Sequence, residues 1–217
     1  MDKSVMTKEQ KFIDALESLL HGPKPGPPAQ IVMCPRPLLG QKRYDEMEAT
    51  SLKAGVMILL YPRAGELHVL LVRRTESVLH HKSQISLPGG RLHEGESPVQ
   101  AALRETWEET GVSPAAVRII GTLSPLYIPR SNHCIYPVVG FAETPFPFVP
   151  ETREVAEIIE VPLAHLTRPE AVRTETRIID DRPAEIPFYE FGGAKIWGAT
   201  AMVLSEFLAL ASMLGLA

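Results

Sequence analysis

Residues 90 to 112 read GRLHEGESPVQAALRETWEETGV. Ser97 is a favourable N-cap, Pro98 suits the first helical position, Gln100 completes a capping box and Gly111 ends the segment, so the pattern predicts a helix over about 97 to 110. At about 100° per residue, Glu105, Glu108 and Glu109 fall near 0°, 300° and 40°, on one stripe. Ala101, a small residue, lies on the same stripe one turn earlier. Val99, Leu103, Trp107 and Thr110 fall on the opposite side and are expected to form a core seam. Like charges one turn apart cost a few tenths of a kcal/mol per pair. The stripe is therefore either a solvated acidic face or a cage for a hard divalent cation such as Mg²⁺ or Mn²⁺, which takes oxygen ligands in octahedral geometry. The preceding loop favours the cage. Pro88, Gly89 and Gly90 read as a tight turn whose backbone can approach a ligand closely and turn a carbonyl toward a metal, and Glu96 stands just before the N-cap.

These residues need a scaffold, and its elements are legible on both sides. Residues 7 to 21 predict an amphipathic helix, with Phe12, Ile13, Leu16, Leu19 and Leu20 at helical spacing. Four prolines within residues 22–30 predict an extended linker after it. Residues 1–30 are expected to pack as an appendage on a main domain of residues 31–217. That domain opens with two apolar runs, 54–61 and 67–73, separated by PRAGE and predicted to pair as a hairpin. Further strands are expected at 117–124, 134–142 and 155–161, with an outer strand at 173–180 and a second long helix at about 195 to 214. Strands mixed with helices point to an α/β layered domain, and the 217 residues suffice for one full core.

Composition narrows the function classes. A net charge of −4 gives no basic footprint for nucleic acid, although a metal site can reverse the local field for an anionic substrate. The N-terminus has no apolar signal segment. The apolar C-terminal run carries Glu206 near its middle, which is costly in lipid, so a buried or interface helix is expected rather than a membrane anchor. Cys34 and Cys134 have neither framework nor zinc spacing and read as free thiols in a reducing, cytoplasmic compartment. No histidine pair has the spacing of a zinc site. Tyr189 and Trp197 read as packing residues. The two terminal helices offer surfaces for a homodimer.

The 90–112 segment resembles the Nudix box, G-x(5)-E-x(7)-R-E-U-x-E-E-x-G-U with U bulky and apolar. Gly90, Glu96, Arg104, Glu105, Glu108, Glu109, Gly111 and Val112 match, and Thr106 departs at the first U. The resemblance implies a Nudix-type α/β/α sandwich with a mixed sheet, and hydrolysis of a diphosphate bond in a nucleoside diphosphate linked to another moiety. It implies metal binding by Glu105, Glu108 and Glu109, a glutamate-orienting role for Arg104 and an added ligand from the glycine-turn carbonyl. Bound metals neutralise phosphate oxygens and lower the pKa of an attacking water. A general base often lies outside the box in this family, and Glu154 and Glu157 are the candidates.

Residues 70–90 resemble the signature of the coenzyme A pyrophosphatase subgroup, L-L-T-x-R-S-x(3)-R-x(3)-G-x(3)-F-P-G-G. Leu70, Leu71, Arg74, Pro88, Gly89 and Gly90 match, while Val72, Leu79, Ser83 and Leu87 depart. His80, His81 and Lys82 stand beside the lost second basic residue and can replace it in part. The segments 124–141, 154–166 and 189–204 also resemble that subgroup. The implied substrate is coenzyme A or acyl-CoA, giving adenosine 3′,5′-bisphosphate and (acyl-)4′-phosphopantetheine. Arg74 is expected to grip phosphate, with Gly89 and Gly90 lining the substrate site. The alternatives are a Nudix diphosphatase for ADP-ribose, NADH or a dinucleotide polyphosphate, and a non-catalytic nucleotide-binding module.

Overall fold

The two apolar runs form the spine of a mixed sheet. A computed structural model describes residues 7–37, 50–75, 84–143, 147–179 and 181–215; Leu79, His80, His81, Lys82 and Ser83 lie outside them. Strand β1 (Leu52–Arg63) turns back into β2 (Glu66–Arg74) as an antiparallel hairpin. Its two turn residues, Ala64 and Gly65, have φ of 51° and 82°, the backbone that lets a two-residue turn follow the strand twist. Strand β8 (Val155–Pro162) pairs with the outer edge of β2, and β3 (Ile85–Ser86) with the edge that β2 shares with β1. Strand β1 pairs antiparallel with β4 (Gly89–Arg91) on its β2 edge and parallel with β7 (His133–Phe141) on its opposite edge. Strands β5 (Arg118–Thr122) and β6 (Leu126–Ile128) complete the sheet against β7.

Alternation along β1 divides the core in two. Met57, Leu59 and Tyr61 point to one face, Ile58 and Leu60 to the other, and all five are 0% exposed. Full burial of such side chains stabilises by about 1.5–3 kcal/mol each, so a one-residue slip in register would be strongly disfavoured. The first face meets helix α3 (Pro98–Thr110). The second meets α1 (Lys8–Leu20), α5 (Gly198–Ser212) and part of a three-stranded antiparallel sheet. That sheet has β10 (Arg182–Phe191) between β9 (Val172–Ile179) and β11 (Ala194–Trp197). The expected α/β/α layering around a mixed sheet is present.

Several expectations change. Residues 22–30 are not extended throughout, because Pro27–Gln30 form a short helix, α2; Pro27 and Pro28 occupy its first turn, where a missing N–H costs nothing. Residues 195–197 belong to β11, so the C-terminal helix starts at Gly198. The seam of α3 is also different. Val99 and Leu103 pack half-buried against the core and Thr110 is buried, as expected, but Trp107 is 55% exposed, and Ala101, Ala102 and Thr106 are driven into the sheet beside Thr110. The helix rides so close to β1 that a Cβ on Gly55 would lie 2.2 Å from the carbonyl oxygen of Pro98. Only small side chains fit beneath α3, and the large indole is turned outward. Buried Thr106 and Thr110 donate their hydroxyls to the carbonyls of Ala102 and Thr106, at 2.6 and 2.5 Å, which removes the cost of an unpaired buried hydroxyl. This accounts for a threonine at a position where a bulky apolar residue was expected.

Helix α5 is buried. Glu206 at its centre is 0% exposed and accepts hydrogen bonds from the Gly26 N–H, the Gln30 Nε2 and the Ser124 N–H at 3.1, 2.8 and 3.2 Å. Among the described residues, no helix is long and apolar enough to cross a membrane. Cys34 and Cys134 are both buried.

Candidate active site

Helix α3 has the ends that the sequence demands. The Ser97 side chain accepts from the Gln100 N–H, the Gln100 side chain accepts from the Ser97 N–H, and Gly111 closes the helix in the left-handed conformation with φ 78°. These caps fix the rotation of α3 and therefore where its glutamates emerge, beside the turn that enters and follows β4.

Arg104 organises that edge. Its Nε and Nη2 grip the two carboxylate oxygens of Glu96 at 2.8 and 3.0 Å, and Nη2 also donates to the carbonyl of Arg91 at 3.0 Å. Its Nη1 donates to Glu105 at 2.7 Å and to Glu108 at 3.1 Å. The guanidinium thus holds two glutamates of the helix and one of the loop in a single planar fork. The Arg104 bonds, with a further one from the His93 N–H, hold the Glu96 carboxyl at about 2, well below the usual carboxylate range.

Glu109 is held differently. It is 3% exposed and accepts from Arg74 Nη1 at 3.0 Å and from the Gly89 N–H at 3.2 Å. Burial pushes its carboxyl up to about 7; Arg74 and the Gly89 N–H oppose the rise, and the charges of Glu105 and Glu154 add to it. Arg74 also reaches Glu154 at 3.5 Å. A register shift between Arg73 and Arg74, where β2 meets β8, re-aims the side chain at this point. The glycine turn completes the edge, since a Cβ on Gly90 would lie 2.3 Å from Glu105 Oε1.

The structure therefore brings Glu105, Glu108, Glu109, Arg104, Arg74, Gly89, Gly90 and Glu154 to one edge. Glu157 is not among them: it pairs with Arg73 Nε at 2.7 Å and is cross-strand to that residue, on the other side of the sheet from Arg74. Among the described residues, no three carboxylate, thiol or imidazole groups converge on one point, because Arg104 draws Glu105 and Glu108 one way and Arg74 draws Glu109 another. The donor chemistry nevertheless suits a hard divalent cation: oxygen ligands only, a buried carboxylate whose charge is incompletely compensated, and backbone without a side chain at Gly90. Two features escaped the sequence reading. Arg74 was expected on substrate, yet its partners here are Glu109 and Glu154. Gly55 sets the seat of α3, and a glycine inside an apolar strand was the available signal for close backbone approach.

Residues 51–181 match the family model described as NUDIX domain. The uncharacterised Nudix hydrolase NudL of Yersinia pestis (strain Pestoides F) is 32% identical over 160 residues, spanning 72% of this chain and 78% of that protein. The NudL of Yersinia pseudotuberculosis (strain YPIII) matches to the same degree. Among solved structures, the Nudix hydrolase RenU of M. smegmatis aligns with 54% of this chain and 73% of its own, at 27% identity and a TM-score of 0.47. The chain belongs to the Nudix family and is a hydrolase of that family, whose enzymes generally use divalent metal ions.

Proposed function

We propose that this hydrolase cleaves the diphosphate bond of coenzyme A or acyl-CoA, with Mg²⁺ or Mn²⁺, to give adenosine 3′,5′-bisphosphate and (acyl-)4′-phosphopantetheine. The observation that carries the reaction class is the edge where Arg104 gathers Glu96, Glu105 and Glu108 while Glu109 lies against the Gly89 N–H. The substrate choice rests on the 70–90 segment, where Leu70, Leu71, Arg74, Pro88, Gly89 and Gly90 keep the subgroup pattern.

Glu105, Glu108, Glu109 and the glycine-turn carbonyl would hold the cation. When bound, it neutralises phosphate oxygens and makes water a better nucleophile. The chain's own residues do the rest. Arg104 keeps Glu105 and Glu108 aimed at the edge. Glu154, joined to Glu109 through Arg74, takes the proton of the attacking water, whose oxygen bonds to phosphorus as the phosphorus–oxygen anhydride bond breaks. The leaving phosphate departs with the electron pair of that bond. Once Glu109 is otherwise neutralised, Arg74 would be free to meet the departing charge, and its fork suits two phosphate oxygens.

The test is a panel of coenzyme A, acetyl-CoA, ADP-ribose, NADH and dinucleotide polyphosphates, each with Mg²⁺ and with Mn²⁺, with products identified. Coenzyme A or its thioester should show the highest kcat/KM and yield adenosine 3′,5′-bisphosphate. Much faster cleavage of ADP-ribose or a dinucleotide would sink the substrate assignment and leave the reaction class standing.

A further inference from the structure

The three-stranded sheet ends in an arm. Strands β9 and β10 pair along Val172–Ile179 and Arg182–Tyr189, but β11 pairs with β10 only from Phe188 onward. Toward its tip the hairpin is two strands wide. Among the described residues its one further backbone partner there is Arg36, which exchanges both bonds with Glu185 at 2.9 and 2.7 Å. A hairpin of two strands is marginally stable by itself. Arg36 covers the outer edge of β10 and leaves that of β9 open. Glu185 turns its N–H and C=O away from β9, so its cross-strand partner Thr176 turns its own away from β10. Thr174 and Ile178, two residues to either side, do the same. Among the described residues these outward groups meet no backbone partner. The strand also carries no proline, lysine or register shift, the devices that blunt an open edge.

This edge is complementary to itself. Two β9 strands paired antiparallel about a twofold axis at Thr176 set Thr176 opposite its own copy and Thr174 opposite Ile178, each pair exchanging both backbone bonds. Between them Glu175 stands opposite Arg177 of the second copy, in the non-bonded pairs whose side chains approach most closely. Opposite charges there stabilise and like charges destabilise. An axis at Glu175 would set glutamate on glutamate and Arg173 on Arg177. An axis at Arg177 would set arginine on arginine, and one at Ile178 would set Glu175 on Asp181. An axis at Thr174 would set Thr176 on Val172, whose N–H already goes to the Pro169 carbonyl. The charged side chains are held ready on one face: Glu175 pairs with Arg177 and Lys195, and the Arg177 guanidinium lies 4.6 Å from the centre of the Trp197 ring. The other face presents Val172, Thr174, Thr176 and Ile178, all uncharged and β-branched, with Ile178 70% exposed. Thr174 of the second copy would cover Ile178.

We propose that two copies of this chain associate by antiparallel pairing of β9 about Thr176, joining their three-stranded sheets into one, rather than through α1 or α5, whose apolar faces pack within their own chain. Sedimentation of the full chain over a wide concentration range should show a monomer–dimer equilibrium. Thr176→Pro removes an outward N–H and no bond to β10. It should weaken the dimer by at least about tenfold, the scale of two lost hydrogen bonds, with an unchanged far-UV spectrum. Arg177→Glu and Glu175→Arg each oppose like charges across the axis, and each should be monomeric alone. Mixed in equal amounts they should form a heterodimer, because a strand with two glutamates then faces a strand with two arginines. A folding defect in either variant would not be repaired by mixing. Thr176→Cys should crosslink to its own copy under mild oxidation, since Cα atoms in such a pair lie about 5.5 Å apart, whereas Thr174→Cys should not. A wild type that stays monomeric at every concentration overturns the proposal. So does a dimer that survives Thr176→Pro and both charge variants intact, or a pair of charge variants that remain monomeric when mixed.

Discussion

At the residue scale the site is governed by where two arginines spend their donors. Arg104 commits its fork to Glu96, Glu105 and Glu108, and Arg74 commits to Glu109 and Glu154. Glu109→Gln keeps the shape but removes a charge from the proposed metal set, so metal-dependent turnover should fall by at least about a hundredfold, as expected when a group holding a catalytic ion is lost. Unaltered kcat would remove the mechanism. Glu96 touches no proposed ligand position and acts through Arg104. Glu96→Gln should therefore cost about 10- to 100-fold in metal affinity or activity, with Mn²⁺ binding to the substrate-free protein as a readout independent of turnover. The same carboxyl gives a pH signature. Its folded value of about 2 lies below the ordinary carboxylate value, so its stabilisation is complete above that ordinary value and drains away as pH falls toward 2. Chemical denaturation of wild type and Glu96→Gln between pH 3 and 7 should show a gap that is constant near neutrality and narrows in acid. A gap that widened on acidification would contradict the assignment. The spacing of the glutamates was legible in the sequence because a helix converts spacing into direction. The bond from Arg74 to Glu109 was not, since it joins residues 35 apart through a local register shift in the sheet.

At the element scale the contact between α3 and β1 decides whether the carboxylates arrive in register. Gly55 is the pivot: a methyl group there would meet the Pro98 carbonyl at 2.2 Å and the Ala102 nitrogen at 3.0 Å, both backbone atoms that can yield only if the helix moves. Gly55→Ala should cost about 1–3 kcal/mol, the usual penalty of overpacking, and should lower kcat as well, because α3 carries the glutamates. Urea denaturation together with steady-state kinetics checks both, and a stable variant with full activity would show that α3 is not seated by this contact. The hairpin of β1 and β2 and both caps of α3 were readable, because turn and cap chemistry is local. The outward turn of Trp107 was not: a helical wheel assigns large apolar residues to the core, and nothing in it states how closely the sheet approaches. Strand β10 was missed for a related reason. Pro183 and Pro187 argue against a strand with neighbours on both sides. Both share the parity of Glu185, whose N–H and C=O face Arg36 and so point away from β9. Their missing donors therefore fall on the side away from β9, and pairing with β11 begins only at Phe188.

At the scale of the whole molecule, the N-terminal segment and the C-terminal helix close the face of the sheet opposite α3, and Glu206 joins them. Its carboxylate is fully buried and satisfied by donors from Gly26, Gln30 and Ser124, residues 82 to 180 positions away. The sequence showed a charge inside an apolar run, enough to argue against a membrane span; its partners could not be read, because they come together only after the sheet has formed. A buried carboxylate with three donors is costly to disturb, since removing it strands those donors away from water. Glu206→Ala should lose about 2–4 kcal/mol. Glu206→Gln should also destabilise, because its amide nitrogen must face a donor. Both losses should appear as a lower urea midpoint and as faster proteolysis of the segment around residues 21–30, which is tied down through Gly26 and Gln30. Catalysis should respond differently. The glutamates of α3 and the glycine turn lie on the other face of β1, so well below the melting temperature kcat and KM of Glu206→Gln should stay within about twofold of wild type, inside the range of sites that do not couple. A kcat that fell in step with stability would mean that the terminal layer reaches through the sheet to the reaction edge, and the two faces could no longer be treated as independent.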